Sequence, residues 1–300
     1  MSGSIFAQGS KADAIFDQAN EQVDKGDAKK AIRGYLNARE EYLKEENYKR
    51  VLTCTQNVAN YYQETGDGKE AEKVILETIK KIPSNTPEQL SAIATLYDNL
   101  AYLYLILLDN PEDAINAYTT SIGLYEKAGK ANTTNYAFEL VNRAVTYHQL
   151  SQFQSSANDM EKAISIYKKD PKTKAEELAE LHHTLGTSYI ELAEFDKAIT
   201  IFERGLALIQ TTENDKLKAK FYNDIGIVNQ KRGNFQSALE KFEQAKKINE
   251  SVFGKDAENY AKNVINIGSV HKSMGDLEAS RAHYQEVLAI YQKTPPHRNG

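Results

Sequence analysis

The chain has 300 residues, of which 41% are hydrophobic and 26% charged, a composition typical of a folded protein rather than a disordered one. The formal net charge of -5 argues against wholesale binding to a nucleic-acid backbone, and the single cysteine, Cys54, excludes an internal disulfide and a multi-cysteine metal site. No apolar run approaches about 18 residues and residues 1–10 lack a secretory signal pattern, so we expect a cytoplasmic protein without membrane insertion.

Internal repeats dominate the sequence. A column of Gly or Ala recurs at steps of 40, 42, 43, 42, 40 and 42 residues: Ala19, Ala59, Ala101, Ala144, Gly186, Gly226 and Gly268. A second small residue follows twelve or thirteen positions later: Ala31, Ala71, Ala114, Ser156, Ala198, Ala238 and Ser280. A large apolar residue stands four positions further on: Tyr35, Ile75, Tyr118, Met160, Phe202, Phe242 and Tyr284. Because helices approach closely only where both carry small residues, the columns predict seven antiparallel helical hairpins, each with a bulky side chain filling the remaining space.

In chain order, we expect a tail over residues 1–10, seven continuous hairpins over residues 11–293 and a second tail over residues 294–300. The turn of each hairpin falls seven residues after the first column. Glycine occupies it in four hairpins, where it supplies a left-handed helix cap, and Ser151 and Ala193 replace it in two others. The third turn is longer by one residue and contains Asn110-Pro111.

The joints between hairpins contain helix-start signals. Thr86 is predicted to cap a helix, with Pro87 in the first position and Gln89 completing a capping box. Asp215 and Asp256 are predicted caps of the same kind.

The pattern resembles the tetratricopeptide repeat (TPR) family, whose signature is nearly complete in the fifth repeat as Leu185-Gly186, Tyr189, Phe195, Ala198 and Phe202. The resemblance covers about residues 11–293 and implies an all-α fold, a right-handed α-α superhelical solenoid of seven TPR-type hairpins. The step near 42 residues, longer than the family's usual 34, is similar to that of kinesin light chain and of spindle-orientation adaptors, and also of bacterial peptide-sensing regulators. The segment Phe253-Gly254-Lys255-Asp256 resembles the kinesin light chain type most.

The resemblance places the residues two positions before the first column in a concave groove. They are Asp17, Asn57, Asn99, Asn142, Thr184, Asp224 and Asn266. An amide side chain both donates and accepts hydrogen bonds, so such a row can pair with the backbone of an extended peptide, a use that the resemblance also implies. The alternative is that these positions are polar only because they are solvated.

Charge on the predicted inner face is uneven. Acidic residues occur in the early repeats, at Asp13, Asp17, Asp24, Glu64 and Asp98, and lysines in the last two, at Lys220, Lys231, Lys262 and Lys272. A basic concave surface steers an acidic segment, so we expect the partner protein to present an acidic patch to the C-terminal repeats. Ordinary solvated charge is the alternative.

The central repeats differ, because Tyr102, Ile106, Phe138 and Val145 map to the groove. They are either pockets for side chains of a partner or contacts to neighbouring repeats, and we expect Val145 to be covered. His183 also maps to the groove, whereas neighbouring His182 falls in a packing column and is expected in the core.

No nucleotide-binding loop, nucleophile motif or metal-ligand spacing is present, so neither an enzyme nor a cofactor is expected. The sequence therefore predicts an adaptor that binds a peptide or helical segment of another protein. Two alternatives remain open: a structural subunit of a ciliary, cytoskeletal or trafficking complex, and a peptide-sensing regulator.

Overall fold

Helices make up nearly all of the ordered secondary structure. The computed structural model describes residues 10–293, which contain fourteen α-helices and no strand. The helices divide into two compact units, unit 1 ending at Leu150 and unit 2 beginning at Ser151. The predicted tails, apart from Ser10, lie outside the described residues.

Unit 1 contains three complete helical hairpins followed by the first helix of a fourth. Its helices are α1 (Lys11–Asp24), α2 (Ala28–Lys44), α3 (Tyr48–Glu64), α4 (Gly68–Lys81), α5 (Pro87–Ile106), α6 (Pro111–Lys127) and α7 (Thr134–Gln149). Each hairpin packs against the next, and α3, α4 and α5 contact one another. One continuous apolar core runs through the three hairpins, so the hairpins stabilise each other rather than standing alone.

Unit 2 begins with one helix and continues with three complete hairpins. Its helices are α8 (Phe153–Tyr167), α9 (Ala175–Glu191), α10 (Phe195–Leu208), α11 (Asp215–Lys231), α12 (Phe235–Phe253), α13 (Glu258–Met274) and α14 (Leu277–Lys293). The first helices of consecutive hairpins, α9, α11 and α13, touch in sequence. They therefore form one face of the unit.

The predicted packing of small residues against rings is present within unit 2. An ideal Cβ added to Gly186 would lie 2.2 Å from Cε1 of Phe202, and one added to Gly226 would lie 2.7 Å from Cε1 of Phe242. Both phenylalanines are fully buried. Burial of each ring contributes about 2–3 kcal/mol, which is available only because the facing helix has no side chain there. Tyr284 packs against Gly268 in the same way, with Cε1 3.2 Å from an added Cβ, although the side chain is 38% exposed.

The left-handed turn residues are confirmed. Gly26, Gly66, Gly233 and Gly275 have φ between 72° and 83°, and Ser151 and Ala193 adopt φ of 58° and 57° in the same role. The backbone N–H groups that follow bond to carbonyls of the preceding helix, as in Asp27 to Gln22 at 2.9 Å and Glu194 to Tyr189 at 2.9 Å. These bonds satisfy carbonyls that would otherwise lack a partner at the helix end.

The helix-start predictions have mixed outcomes. Thr86 caps α5, with Pro87 in the first turn and a complete capping box to Gln89. Asp215 is instead the first residue of α11, which is capped by the Asn214 side chain accepting from Leu217 N–H. Asp256 also lies too early, because the N-cap residue of α13 is Ala257. In both joints the N-cap residue lies one position away from the carboxylate that the sequence favoured, before Asp215 and after Asp256.

Candidate binding grooves

Unit 2 contains a basic groove along α9, α11 and α13, closed on one side by the end of α12. Its volume is about 660 Å³. The polar and aromatic residues that line it are His183, Lys216, Lys220, Asn223, Asp224, Asn249, Phe253, Asn259, Lys262, Asn263 and Asn266. We call this cavity the lysine groove.

Asparagine side chains are hydrogen-bonded to one another across the floor of the lysine groove. The Asn249 amide donates to Asn263 at 2.6 Å, and the amides of Asn263 and Asn266 both donate to Oδ1 of Asn223, at 3.2 and 2.9 Å. The Asn223 amide in turn donates to Asp224 at 3.1 Å. The network links α11, α12 and α13 and holds each amide in one orientation. Asn249 and Asn263 are buried, so the partly exposed Asn223 and Asn266 are the members of the network that a ligand can reach.

The network ends at a histidine and carboxylate pair. Nε2 of His183 on α9 lies 2.6 Å from Oδ2 of Asp224 on α11, and both side chains are largely buried. The imidazole also contacts the rings of Phe202 and Phe221, at centroid distances of 5.8 and 5.5 Å. This packing fixes the histidine against the aromatic core, so the pair acts as a rigid wall of the groove.

The three lysines of the groove differ in what they contact. Lys216 Nζ lies 5.2 Å above the Phe253 ring, a cation–π contact, and Lys262 forms an exposed ion pair with Glu258 at 2.7 Å. Lys220 is exposed and forms no ion pair with any residue in the described part of the chain. Since an exposed ion pair contributes little, the groove retains positive charge for an acidic ligand.

Unit 1 contains a second, more apolar groove of about 400 Å³ along α5 and α7. Among the residues that line it are Asp98, Asn99, Tyr102, Ile106, Tyr118, Phe138, Asn142 and Val145. We call it the tyrosine groove. Tyr102, Ile106 and Phe138 are 50–66% exposed, so large apolar side chains face solvent here. Among the described residues that line this cavity, Asp98 is the only one with a charged side chain.

The comparison with known families is decisive for the fold. The family model of the tetratricopeptide repeat matches residues 131–211 and 217–293, more than half of the chain. The chain belongs to the tetratricopeptide repeat family. It is also 26% identical over 193 residues to Protein KINESIN LIGHT CHAIN-RELATED 2 of Arabidopsis thaliana. That alignment covers 61% of this chain and 28% of the relative, so the chain spans little more than a quarter of that protein's length.

Solved structures show the same TPR fold. BtubC (BKLC) from P. vanneervenii matches with a TM-score of 0.61 and 19% identity, covering 82% of this chain and 94% of that one. The apo form of RapI matches with a TM-score of 0.68 and 16% identity, covering 95% of this chain and 78% of that one. The predicted class, an all-α TPR solenoid with kinesin light chain type repeats, is confirmed.

Most residues predicted to line the TPR groove lie in cavities, but not in one row. His183, Lys220, Asp224, Lys262 and Asn266 meet in the lysine groove, and Asn99, Tyr102 and Asn142 in the tyrosine groove. Asn57 lines a third hollow of about 390 Å³ with Tyr35 and Glu64. Lys272 lines a shallow depression beside Leu277 and Tyr284. Lys231 is exposed and lines none of these cavities.

Several groove residues were missed by the sequence prediction. Asn223, Asn249 and Asn263 form the centre of the asparagine network, yet none lies two positions before the Gly/Ala column. Asn223 lies three positions before Gly226 and Asn263 lies five positions before Gly268, so the two are not equivalent in the repeat and repeat spacing gave no signal for this pair. Val145 was expected to be covered, but it is 41% exposed and lines the tyrosine groove.

Three other ionisable side chains contribute to the structure of the fold rather than to a groove. His182 is 8% exposed and its Nδ1 lies 2.7 Å from the Leu178 carbonyl, as expected for a core histidine. Cys54 is 1% exposed, and burial raises the pKa of its thiol to about 12. Asp13, predicted on the inner face, accepts a hydrogen bond from Tyr42 at 2.6 Å and completes the capping box of α1.

Across residues 10–293, no group of three or more His, Cys, Asp or Glu side chains is arranged to hold a metal ion. No helix within that range has the length and apolar content needed to cross a bilayer.

Proposed function

We propose that this TPR protein is an interaction scaffold that binds an extended acidic segment of a partner protein in the lysine groove. The observation that carries the proposal is the asparagine network of α11, α12 and α13 lying beside three lysines in one cavity of about 660 Å³. TPR proteins are stacks of repeats that present extended binding surfaces, which fits a scaffold in the cytoplasm better than a catalyst.

The asparagines supply contacts that do not depend on the side chains of the ligand. Each amide can donate to a peptide carbonyl and accept from a peptide N–H, so oriented amides match the repeating polar groups of an extended backbone. The hydrogen bond from Asn266 to Asn223 orients these two partly exposed amides before a ligand arrives, and the buried Asn263 supports Asn223 from below with a second bond. Preorganisation of this kind reduces the entropy lost on binding.

The lysines supply the preference for acidic segments. Lys216, Lys220 and Lys262 surround the asparagines, while Asp224, the acidic lining residue, is already bonded to His183. An incoming carboxylate therefore meets positive charge with little opposing repulsion. Electrostatic attraction in a concave site raises the association rate and selects against basic segments.

The test is binding of a fluorescein-labelled decapeptide of alternating Glu and Ser to the full chain, measured by fluorescence anisotropy in 50 mM salt. The variant Lys220→Glu/Lys262→Glu should lose at least tenfold in affinity, because two attractions become repulsions. A matched control is Lys169→Glu/Lys172→Glu, since both lysines are exposed, lie between α8 and α9, and line no groove. The control should retain binding within about threefold at this salt concentration.

Equal losses in the two variants would show that only total charge matters and would contradict a groove site. A third variant, Asn223→Ala/Asn266→Ala, removes the two amides of the network that a ligand can reach and should weaken an acidic and a neutral peptide by a similar factor. If the acidic peptide binds none of the proteins, the role as an assembly subunit replaces peptide capture as the better hypothesis.

A further inference from the structure

Two carboxyl groups lie together at the tyrosine groove: Asp98 lines the cavity, Glu139 is buried beside Asp98, and within the described part of unit 1 no basic side chain shifts the pKa of either. Asp98 on α5 lines the groove and is half-buried, and Glu139 on α7 is 3% exposed. On α7, Glu139 lies between two groove residues, Phe138 one position before it and Asn142 three positions after it. Its Oε2 atom is buried and has no hydrogen-bond partner. A buried carboxyl oxygen without a partner is rare and marks a place where an additional group fits.

The carboxyl groups affect each other's ionisation. Burial, together with repulsion from Asp98, raises the pKa of Glu139 to about 9. Burial also raises the pKa of Asp98, with the Asn142 amide beside it acting in the opposite direction. A buried acid takes up a proton when no cation compensates its charge, so Glu139 is protonated at neutral pH.

The charged and titratable groups around the pair come from three helices. From α6, Tyr118 and Tyr125 face it, and burial, with an added contribution from the carboxylates, raises the pKa of both phenols. From α5, Tyr102 is adjacent. On α7, Arg143 bonds to Thr119 at 3.0 Å and lies over the Tyr147 ring. Within unit 1 the pair therefore faces phenols and amides rather than a cation.

The geometry points to a basic side chain as the ligand: we propose that the tyrosine groove binds a lysine or arginine of a partner segment, with its charged end at Asp98. This inference rests on the proposed function as a peptide-binding scaffold and assigns a second, chemically opposite site to it. The methylene stem of the basic residue would lie on the Tyr102 and Phe138 rings, which are 54% and 50% exposed. Aromatic faces attract both the stem and the cation.

Apolar neighbours of the basic residue would occupy the rest of the groove. Ile106 and Val145 are 66% and 41% exposed and line the same cavity as Asp98. Isolated exposed apolar residues need no explanation, but several that surround a buried acid form a binding surface. The ligand is therefore a short segment with a central cation and an apolar or aromatic residue on each side.

Binding of a cation should release a proton. A positive charge beside Asp98 favours the ionised form of both acids, so up to one proton leaves the pair for each cation bound. Because the doubly ionised pair binds the cation more tightly than the pair that holds a proton, affinity should rise as pH increases from 6 to 9. The upper limit is about tenfold per pH unit in the range where one proton is released.

The test uses the full chain and three peptides, Gly-Ser-Leu-Arg-Phe-Ser-Gly and its Arg→Gln and Arg→Glu forms, in isothermal titration calorimetry at pH 7 and pH 8.5. The Arg peptide should bind at least tenfold more tightly than the Gln peptide, and more tightly at pH 8.5. Titration in buffers with different ionisation enthalpies should show proton release. A Gln peptide that binds as tightly as the Arg peptide would overturn the proposal.

Variants distinguish this site from the lysine groove. Asp98→Asn should abolish the preference for Arg over Gln and the proton release, and Glu139→Gln should reduce the proton release while keeping the preference. The exposed Glu112→Gln is the matched control and should behave as the parent chain. The acidic decapeptide is titrated into the same samples. If it binds while the Arg peptide does not, the second site fails and the scaffold function stands; if neither binds, both proposals fail.

Discussion

Individual glycine residues determine how closely the helices of unit 2 approach one another. Gly186 on α9 faces Phe202 on α10, and an added Cβ would lie 2.2 Å from its ring. Phe202 is fully buried, so the ring cannot rotate into solvent and must instead push the hairpin apart. The sequence predicted this pair because small and aromatic residues recur at matched repeat positions.

Gly186→Ala should therefore lower the free energy of unfolding by about 1–3 kcal/mol, the usual cost of overpacking a core. Urea denaturation followed by circular dichroism measures it. Gly123→Ala is the control, because Gly123 lies inside α6 with nothing within 4 Å of its added Cβ. That variant should be neutral or more stable by up to about 1 kcal/mol. A parent-like midpoint for Gly186→Ala would contradict the packing described.

The burial of Glu139 could not be predicted from the pattern of residues along the sequence. In the sequence it is one glutamate on an amphipathic helix, and such a residue is normally exposed. Its burial arises because α5 and α6 place Asp98 and Ser121 beside it, and these contacts depend on tertiary packing. The same limit explains why the tyrosine groove was predicted from its aromatic residues but not from its acid pair.

The raised pKa of Glu139 makes the stability of the folded chain depend on pH. The folded state holds a proton up to about pH 9, whereas the unfolded state loses it near 4.5, the ordinary pKa of glutamate. Stability from this group is thus complete below pH 4.5 and is lost as pH rises towards 9. Glu139→Gln should increase the melting temperature relative to the parent chain, by more at pH 8.5 than at pH 5. A pH-independent difference in a thermal-melt series would show that the carboxyl ionises normally.

At the scale of elements, the turns of the hairpins were predicted more accurately than the helix starts. Left-handed residues appeared where the repeat placed them, since ending a helix and reversing the chain requires that conformation whatever the packing. Helix starts have several adjacent solutions. Asn214 caps α11 although Asp215 is next to it, and no side-chain cap forms at Ala257.

Ala193 is a non-glycine residue in a left-handed turn, at φ of 57°. A residue with a Cβ is strained in this conformation by about 1 kcal/mol. Glycine avoids the strain, but its larger conformational entropy in the unfolded state offsets part of the gain in stability. Ala193→Gly should stabilise the chain by up to about 1 kcal/mol in chemical denaturation. Ala282→Gly, an exposed position inside α14, should destabilise it by about 0.5–1 kcal/mol. If both variants lose stability equally, the left-handed residue is not a source of strain.

Across the whole molecule, the lysine groove is a basic site on a chain with a formal net charge of -5. The sequence predicted the excess of lysine in the last repeats, because charge can be counted by position. It did not predict which lysines share a cavity: Lys220 and Lys262 do, whereas Lys231 and Lys272 do not line it. That difference depends on the direction in which each side chain leaves its helix, which repeat spacing specifies only approximately.

The total charge of the chain and the charge in the lysine groove should affect the affinity for an acidic peptide with different salt dependences. The control Lys169→Glu/Lys172→Glu replaces two positive charges with two negative ones outside the groove. It can therefore lower the affinity for an acidic peptide only through long-range electrostatic repulsion. The Debye length is about 30 Å at 0.01 M salt and about 8 Å at 0.15 M. The control should therefore bind the Glu-Ser decapeptide several-fold more weakly than the parent chain at 0.01 M but within about twofold at 0.15 M. Lys220→Glu/Lys262→Glu should remain weaker at both salt concentrations, because its charges lie in contact with the peptide. Anisotropy titrations at four salt concentrations would separate the two effects, and parallel salt curves for the two variants would contradict a localised basic site.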